Sequence, residues 1–151
     1  MDDCIQEKSK ISEYASETCI FCKIIKGEIP SSKVYEDEKV FAFLDIGPVN
    51  KGHTLVIPKE HHETIVDVPD DLLKDVIVVV KKLSKTVKNG VGADGFSVLT
   101  NNYEAAGQVV PHAHFHIIPR LNSDGLMHWP QNKYSEGEMD SVKEKIVSKI
   151  S

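Results

Sequence analysis

The stretch PHAHFHIIP, Pro111 to Pro119, limits what this chain can fold into more than any other. Of the 7 histidines in the protein, three stand here at every second position: His112, His114 and His116. An extended strand turns alternate side chains to opposite faces. These three would therefore share one face, with Ala113, Phe115 and Ile117 on the other. Along the row the backbone sites are about 6.5–7 Å apart. The apolar face belongs against a core. The imidazole face is costly to bury, because polar groups taken from water without partners lose free energy. That face has three readings: a solvated polar surface, a metal site of three histidines, or a cradle for phosphate oxygens with one imidazole as nucleophile.

The remaining pattern supplies a sheet for this strand. CIFCKIIKGEIP spaces Ile20, Phe21, Ile24 and Ile25 for a short helix, stopped by Gly27 and Pro30. KVYEDEKVFAFLD reads as a hairpin: Val34 and Tyr35 in one strand, Val40, Phe41 and Phe43 in the next, joined by Glu36-Asp37-Glu38. GHTLVIP is a third strand between Gly52 and Pro58. DDLLKDVIVVVKKLSKTVKN holds a β-prone centre. However, Leu72, Leu73, Val76, Val80, Leu83 and Val87 recur at helical spacing, so a long helix is expected from Asp70-Asp71 to Asn89-Gly90. GFSVLTN and HAHFHIIP are strands four and five, linked by a loop containing EAAGQ. EMDSVKEKIVSKI reads as a terminal helix over about 138–150, with Val142, Ile146 and Ile150 on one side. Five strands with antiparallel-type links, and helices that do not alternate strictly with them, predict an α+β domain. Residues 1–18 read as a flexible polar leader and 19–151 as one domain, with no internal repeat.

At 151 residues the chain is long enough to bury one substantial core. A net charge of −5 argues against a nucleic-acid-coating surface but leaves open a small phosphate ligand, which local groups decide. No apolar run approaches the roughly 18–20 residues of a membrane span, and MDDCIQEKSK lacks the apolar core of a secretory signal. A cytoplasmic protein is therefore expected, nuclear placement being open if the source is eukaryotic. The three cysteines, Cys4, Cys19 and Cys22, are a poor disulfide framework. Cys4 reads as an incidental thiol. Cys19 and Cys22 form a CxxC, which in a reducing compartment points to metal or redox chemistry.

Phosphoryl chemistry suits a row of imidazoles. A neutral imidazole can attack phosphorus and divide one hard displacement into two easier ones. Neighbouring donors stabilise charge on the non-bridging oxygens, and histidine titrates near neutral pH, where it can pass protons. No Walker-type loop is present, which disfavours an energy-coupled NTPase.

The residues then resemble a known family. HAHFHII resembles the signature of the histidine triad (HIT) family, His-x-His-x-His followed by apolar residues. CIFCKIIKGEIPSSKVYEDE, FLDIGPVNKGHTLVIPKEH and NNYEAAGQVVPHAHFHIIPR are similar to its amino-terminal, central and catalytic blocks, in that order. MHWP resembles its Hint branch, the purine nucleoside phosphoramidase type. The resemblance implies an antiparallel five-stranded sheet with helices, extended to ten strands in a homodimer. It implies that His114 is the nucleophile, becoming nucleotidylated at the α-phosphate. His116 matches a phosphate-contacting histidine, and His53 a further histidine of the site. Asp45 and Ile46 match positions that hold ribose and base. Asn101 matches a phosphate-side contact, and Gly107, Gln108 and Val109 belong to the loop that wraps the phosphate. Some relatives carry Ser where this chain has Val109, so a side-chain hydroxyl contact to phosphate is missing there, while a backbone amide can still serve. His112, first of the triad, is counted both with the catalytic histidines and with the metal ligands.

CIFC has the short ligand spacing of zinc sites and needs two further ligands. The resemblance implies that His61, in IPKEHH, and His112 provide them, closing a structural Cys2His2 zinc site of Cys19, Cys22, His61 and His112 with no catalytic metal. The alternative is a reduced cysteine pair packed as small apolar side chains. A thioredoxin-like role lacks the βαβ context after the motif. His62 reads as a surface neighbour; His128 and Trp129 either line the substrate or dimer side or simply pack. Asp45 could merely end a strand, Asn101 or Asn102 could be a turn residue, and His53 could be an ordinary strand-start histidine.

The expected function is hydrolysis or nucleotidyl transfer at the α-phosphate of adenosine or other purine nucleotide conjugates such as phosphoramidates, through a covalent nucleotidyl-histidine. Three alternatives stand beside it: a dinucleoside polyphosphate hydrolase, a nucleotide-binding scaffold dimer with weak catalysis, and a metal hydrolase using His112, His114 and His116 as ligands. The expected partners are a purine nucleotide and a second copy of the chain, with no membrane and no nucleic acid.

Overall fold

The computed structural model describes residues 16–150; residues 1–15, which include Cys4 and most of the expected leader, and Ser151 lie outside the described residues. Residues 16–18 are already helical. In chain order the elements are α1 (Ile20–Ile25), β1 (Lys33–Glu36), β2 (Val40–Leu44), β3 (Thr54–Pro58), α2 (Asp70–Val91), β4 (Gly95–Leu99), β5 (Phe115–Arg120) and α3 (Glu138–Val147). The strands form one antiparallel sheet in the order β1-β2-β3-β5-β4. This is the expected α+β architecture.

The central strands β2, β3 and β5 are buried on both faces, and strand alternation assigns the side chains. Val40, Ala42, Val56, Phe115 and Ile117 pack against Val76, Val79, Val80, Leu83 and Val87 of α2. On the opposite face Phe41, Phe43, Leu55 and Ile57 pack with Cys19, Phe21 and Cys22 of the α1 segment. Register agrees: Phe43 faces Leu55, and Leu55 faces His116. His116 therefore lies on the α1 side, paired across the ladder with Leu55 and Leu99.

The β-prone VIVVV segment is helical because helical spacing turns Val76, Val79 and Val80 inward and leaves Ile77 and Val78 outside. Asp70 and Asp71 lie in the first turn, where the helix dipole favours carboxylates. The far end differs from expectation by one short step. Gly90 stays within the helix, and Gly92 takes the left-handed turn, with φ 67° and its N–H on the carbonyls of Asn89 and Lys88.

Strand five also begins later than the sequence pattern suggests. Ala113 N donates to His62 O at 2.7 Å, and Thr100 Oγ1 donates to His114 O at 2.8 Å. These bonds occupy groups that a regular ladder would use, so pairing starts at Phe115. The terminal helix stops at Val147 and buries none of its residues. Val142 is half-buried, whereas Ile146 and Ile150 are exposed. No helix among the described residues is long and apolar enough to cross a membrane.

Candidate active site and metal centre

The three alternate histidines stay on the α1 side, but they divide into two sites. The Phe21 ring lies 5.9 Å from the His112 ring and 5.2 Å from the His114 ring, edge-on to both. The His114 and His116 rings are neighbours at 4.9 Å. His112, wholly buried, turns its Nδ1 the other way, to 3.4 Å from Cys19 Sγ and 3.6 Å from Cys22 Sγ.

The proton positions in the first group follow from its partners. His114 Nδ1 lies 2.7 Å from the His112 carbonyl oxygen. A carbonyl only accepts, so Nδ1 carries the hydrogen and Nε2 keeps its lone pair. Burial pushes the His114 pKa below the usual imidazole value, so the ring is neutral near pH 7. A second chain starts at a backbone amide. Val49 N donates to His53 Nδ1 at 3.1 Å, which leaves the His53 hydrogen on Nε2. His53 Nε2 lies 2.9 Å from His116 Nδ1 and donates to it, so His116 carries its hydrogen on Nε2. That Nε2 is buried and without a partner among the described residues. Burial first, and then the neighbouring His114 and His53, push the His116 pKa down to about 4. The pair thus sets a free lone pair beside a free N–H donor, both on neutral rings.

His53 reaches its place through Gly52. That residue has φ 96°, and a Cβ there would stand 2.7 Å from Val91 Cγ1. Asp45 borders the group: its Oδ2 is 3.8 Å from His53 Nε2, and its Oδ1 accepts from Gly47 N at 2.8 Å. Ile46 beside it is fully exposed. Of the two asparagines after β4, Asn102 is the structural one, its Oδ1 accepting from Ile65 N at 2.8 Å. Asn101 turns its amide toward the loop, with Nδ2 3.8 Å from the position a Gly107 Cβ would take.

In the loop, Gln108 has no spare group to offer a ligand. Its Nε2 donates to Glu63 O at 2.6 Å and to Val110 O at 3.1 Å, its Oε1 accepts from Tyr103 N, and its own N–H donates to Tyr103 O. Gly107 N donates to Glu104 O. Among Gly107, Gln108 and Val109, only the Val109 amide has no hydrogen-bond partner among the described residues. The Val109 side chain is exposed, so this position offers an N–H and no hydroxyl. A cleft of about 590 Å³ opens beside the loop, lined in part by Tyr103, Gly107, Gln108 and Val109.

The clamp on Tyr103 holds it at φ 69°, ψ 160°, the one positive φ outside glycine among the described residues. Such a backbone costs about 1–3 kcal/mol, against about 0.5–1 kcal/mol for the extra freedom of an unfolded glycine. Y103G is therefore expected to stabilise the fold by about 1 kcal/mol. An unchanged or lower urea midpoint would contradict the strain.

The second site gathers Cys19, Cys22, His61 and His112, with all four ligand atoms within 4.8 Å of one another. His61 Nδ1 lies 3.4 Å from Cys22 Sγ and 3.2 Å from His112 Nδ1. His112 Nε2 donates to Pro58 O at 2.8 Å, which leaves the His112 Nδ1 lone pair aimed into the cluster. Burial holds the His112 pKa down, to about 4, and that of His61 also below its usual value, so both rings are neutral donors. A tetrahedral zinc with bonds of about 2.3 Å to sulfur and 2.05 Å to nitrogen sets S···N edges of about 3.6 Å and N···N edges of about 3.3 Å. Three S···N separations, 3.4, 3.4 and 3.6 Å, and the N···N separation of 3.2 Å stand close to those edges, and the group could hold a metal ion. His62 is outside the cluster, on Glu60 at 3.0 Å.

Trp129 is exposed, and His128 borders a cleft with Arg120 and Asp124. The sequence reading missed three supports: the Val49 amide, the Pro58 carbonyl and Thr100. Two of these act through the backbone, so no residue type marked them.

The chain matches the HIT domain over residues 26–123. It is 44% identical over 139 residues to the adenosine 5'-monophosphoramidase of Candida albicans, covering 88% of this chain and 91% of that one. Among solved structures it superposes on a HIT family member from Bacillus subtilis with a TM-score of 0.82 at 43% identity, over 89% of this chain and 98% of that one. It superposes on a zinc-bound histidine triad protein from Mycobacterium smegmatis with a TM-score of 0.71 at 34% identity, over 88% and 98%. With the divided histidine row, the five-stranded sheet and a family match over most of its length, the chain belongs to the HIT family.

Proposed function

We propose that the protein is a hydrolase acting at the α-phosphate of adenosine or related purine nucleotide conjugates, phosphoramidates first among them. The observation that carries this reading is the His114–His116 pair: an Nε2 lone pair beside a buried, unpartnered Nε2–H. A lone pair suits attack on phosphorus, and the N–H suits a non-bridging oxygen. The activity named for the Candida albicans relative agrees with it.

In this mechanism the nucleotide lies against the α1 side of the sheet, with ribose at Asp45 and base near Ile46. The Val109 amide and the His116 Nε2–H hold phosphate oxygens, with Asn101 on the same side. His114 Nε2 attacks the α-phosphorus as the P–N bond to the leaving group breaks, the departing amine taking from solvent a proton that the hydrolytic second step returns. The positive charge that develops on the His114 ring is spread to Nδ1–H, where the His112 carbonyl accepts it. Water then cleaves the nucleotidyl-histidine and restores the neutral ring. His53 keeps the His116 proton on Nε2. No metal takes part in these steps.

Cys19, Cys22, His61 and His112 would hold a structural zinc, supplying four closed ligand bonds and no open position for water. The edge strand β4 leaves Phe96 and Val98 partly exposed, which suits pairing with a second copy into a ten-stranded sheet.

Adenosine 5'-phosphoramidate and a diadenosine polyphosphate, offered separately, test the reading by AMP release. The phosphoramidate is expected to be cleaved with a kcat/KM at least about tenfold higher, a difference of about 1.4 kcal/mol in the barrier. Faster cleavage of the polyphosphate would move the protein to the other substrate class, and AMP binding without turnover of either would make it a scaffold.

A further inference from the structure

We propose that Cys19 and Cys22 form a dithiol that hydroperoxides oxidise: Cys19 takes the oxidant, Cys22 closes a disulfide onto it, and the donor set for a metal is dismantled. The site lies apart from the reacting atoms at His114 and does not depend on that reading.

The placement of two sulfurs beside one cleft carries the inference. Cys19 is the residue before α1, in extended conformation, and Cys22 is the third residue of the helix. Side chains three apart at a helix start share a face. Both thiols are free, and their Sγ atoms lie within 4.8 Å of each other. A disulfide bridges Cα atoms about 4.4–6.8 Å apart, a range that includes the one-turn pitch of about 5.4 Å.

The two sulfurs differ in access. A cleft of about 430 Å³ is lined by Cys19 and His61, with Glu63, Val109 and Pro111, and Cys22 is not in its wall. Cys22 is enclosed instead, with His61 Nδ1 at 3.4 Å, His112 Nδ1 at 3.6 Å and a hydrogen bond to the Ser16 side chain. An oxidant arriving from solvent therefore meets Cys19 first. Metal ligation requires both sulfurs as thiolates, which is the form that attacks peroxide.

In the first step Cys19 Sγ attacks a peroxide oxygen. An S–O bond forms, the O–O bond breaks, and the departing oxygen takes a proton from solvent and leaves as water. Cys22 Sγ then attacks Cys19 Sγ. The S–S bond forms, the S–O bond breaks, and the hydroxyl leaves as a second water after taking another proton. Two thiolates, one hydrogen peroxide and two protons thus give one disulfide and two waters. His61 and His112 alone remain as donors.

The test treats the reduced full chain with hydrogen peroxide, with and without bound Zn²⁺, and then alkylates it. Trypsin, cutting after Lys10 and Lys23, isolates both cysteines in residues 11–23, away from Cys4. That peptide is expected to be unalkylated and about 2 Da lighter, a change that dithiothreitol reverses. A zinc indicator should report release in step with the mass change, and the oxidised chain should bind Zn²⁺ on the order of 100-fold or more weakly than the reduced one. In C22S, which lacks the resolving sulfur, dimedone should capture a sulfenic acid at Cys19; C19S should give no adduct at Cys22. The wild-type arms decide the disulfide if C22S fails to fold. Both thiols of residues 11–23 remaining alkylatable after Cys4 has been oxidised would overturn the proposal. Equal Zn²⁺ uptake before and after oxidation, whether full or nil, would overturn the link to the donor set. An adduct at Cys22 of C19S with none at Cys19 of C22S would overturn the order of attack.

Discussion

H114Q is expected to lower kcat/KM for adenosine 5'-phosphoramidate by on the order of 10⁴-fold or more, since a nucleophile acts in a unit whose loss removes the whole covalent route. The substitution removes the one imidazole whose Nδ1 is committed to a carbonyl and whose Nε2 is therefore unprotonated. No neighbour replaces it. His116 is held in the opposite tautomer by His53 and the Val49 amide, so its Nε2 carries a hydrogen and no lone pair. His112 gives Nε2 to Pro58 O and Nδ1 to the thiol cluster. Gln can still donate to the His112 carbonyl, so the fold should survive at a cost of about 1–2 kcal/mol. Wild-type protein quenched in alkaline denaturant, where a P–N bond survives, should carry one adenylyl group by mass, and the variant none. Adenylylation and turnover persisting in a folded variant would remove His114 from the chemistry.

The second large effect concerns the Cys19–Cys22–His61–His112 cluster. Chelator treatment of zinc-loaded protein is expected to lower Tm by about 10 °C. The figure comes from linkage: free metal at about a thousand times Kd stabilises the folded state by about 4 kcal/mol, and each kcal/mol is worth about 2–4 °C in a chain of this size. The cluster joins three segments that lie far apart along the chain. It ties α1, whose Phe21 packs edge-on to Phe43 at 5.4 Å, to the loop after β3 and to the lead-in of β5. Without metal the two thiols are left with single weak bonds of 3.4 Å, Cys19 to His112 Nδ1 and Cys22 to His61 Nδ1, in place of four ligand bonds, and burial raises the Cys22 thiol pKa. C22S should melt at the lower temperature and lose its response to chelator. Equal melting curves for loaded and stripped wild type would mean that the cysteines pack as apolar side chains.

Much of this architecture was legible before any coordinates. Helical spacing of Val76, Val80, Leu83 and Val87 outweighed the β-prone VIVVV run, because a helix follows burial on one face more than local preference. The hairpin, the third strand and the short α1 helix were marked by glycine, proline and acidic turns at their ends. The helix end was less legible: three glycines or amides lie within four residues, Asn89, Gly90 and Gly92, and the left-handed turn falls on whichever one the packing leaves at the end. The start of β5 was hidden for a similar reason, since the bonds from Ala113 to His62 O and from Thr100 to His114 O come from distant loops.

Residue types and their order by themselves determined the family, the α+β class, the donor set for a metal and the imidazoles available for phosphoryl chemistry. These are properties of side-chain chemistry and short-range spacing, which survive without a third dimension. Only the tertiary structure decided which group meets each ring nitrogen, and so where each proton sits. His112, His114 and His116 are the same side chain at equal spacing, and what separates them is the group that meets each ring nitrogen: a thiol cluster and a carbonyl for the first, a carbonyl for the second, a histidine steered by the Val49 amide for the third. A proton on an imidazole is placed by its hydrogen-bond partner; for His112 and His116 those partners arrive from β3, its flanking loops and α1, far away along the chain, and for His114 from the backbone turn that the tertiary fold imposes two residues before it.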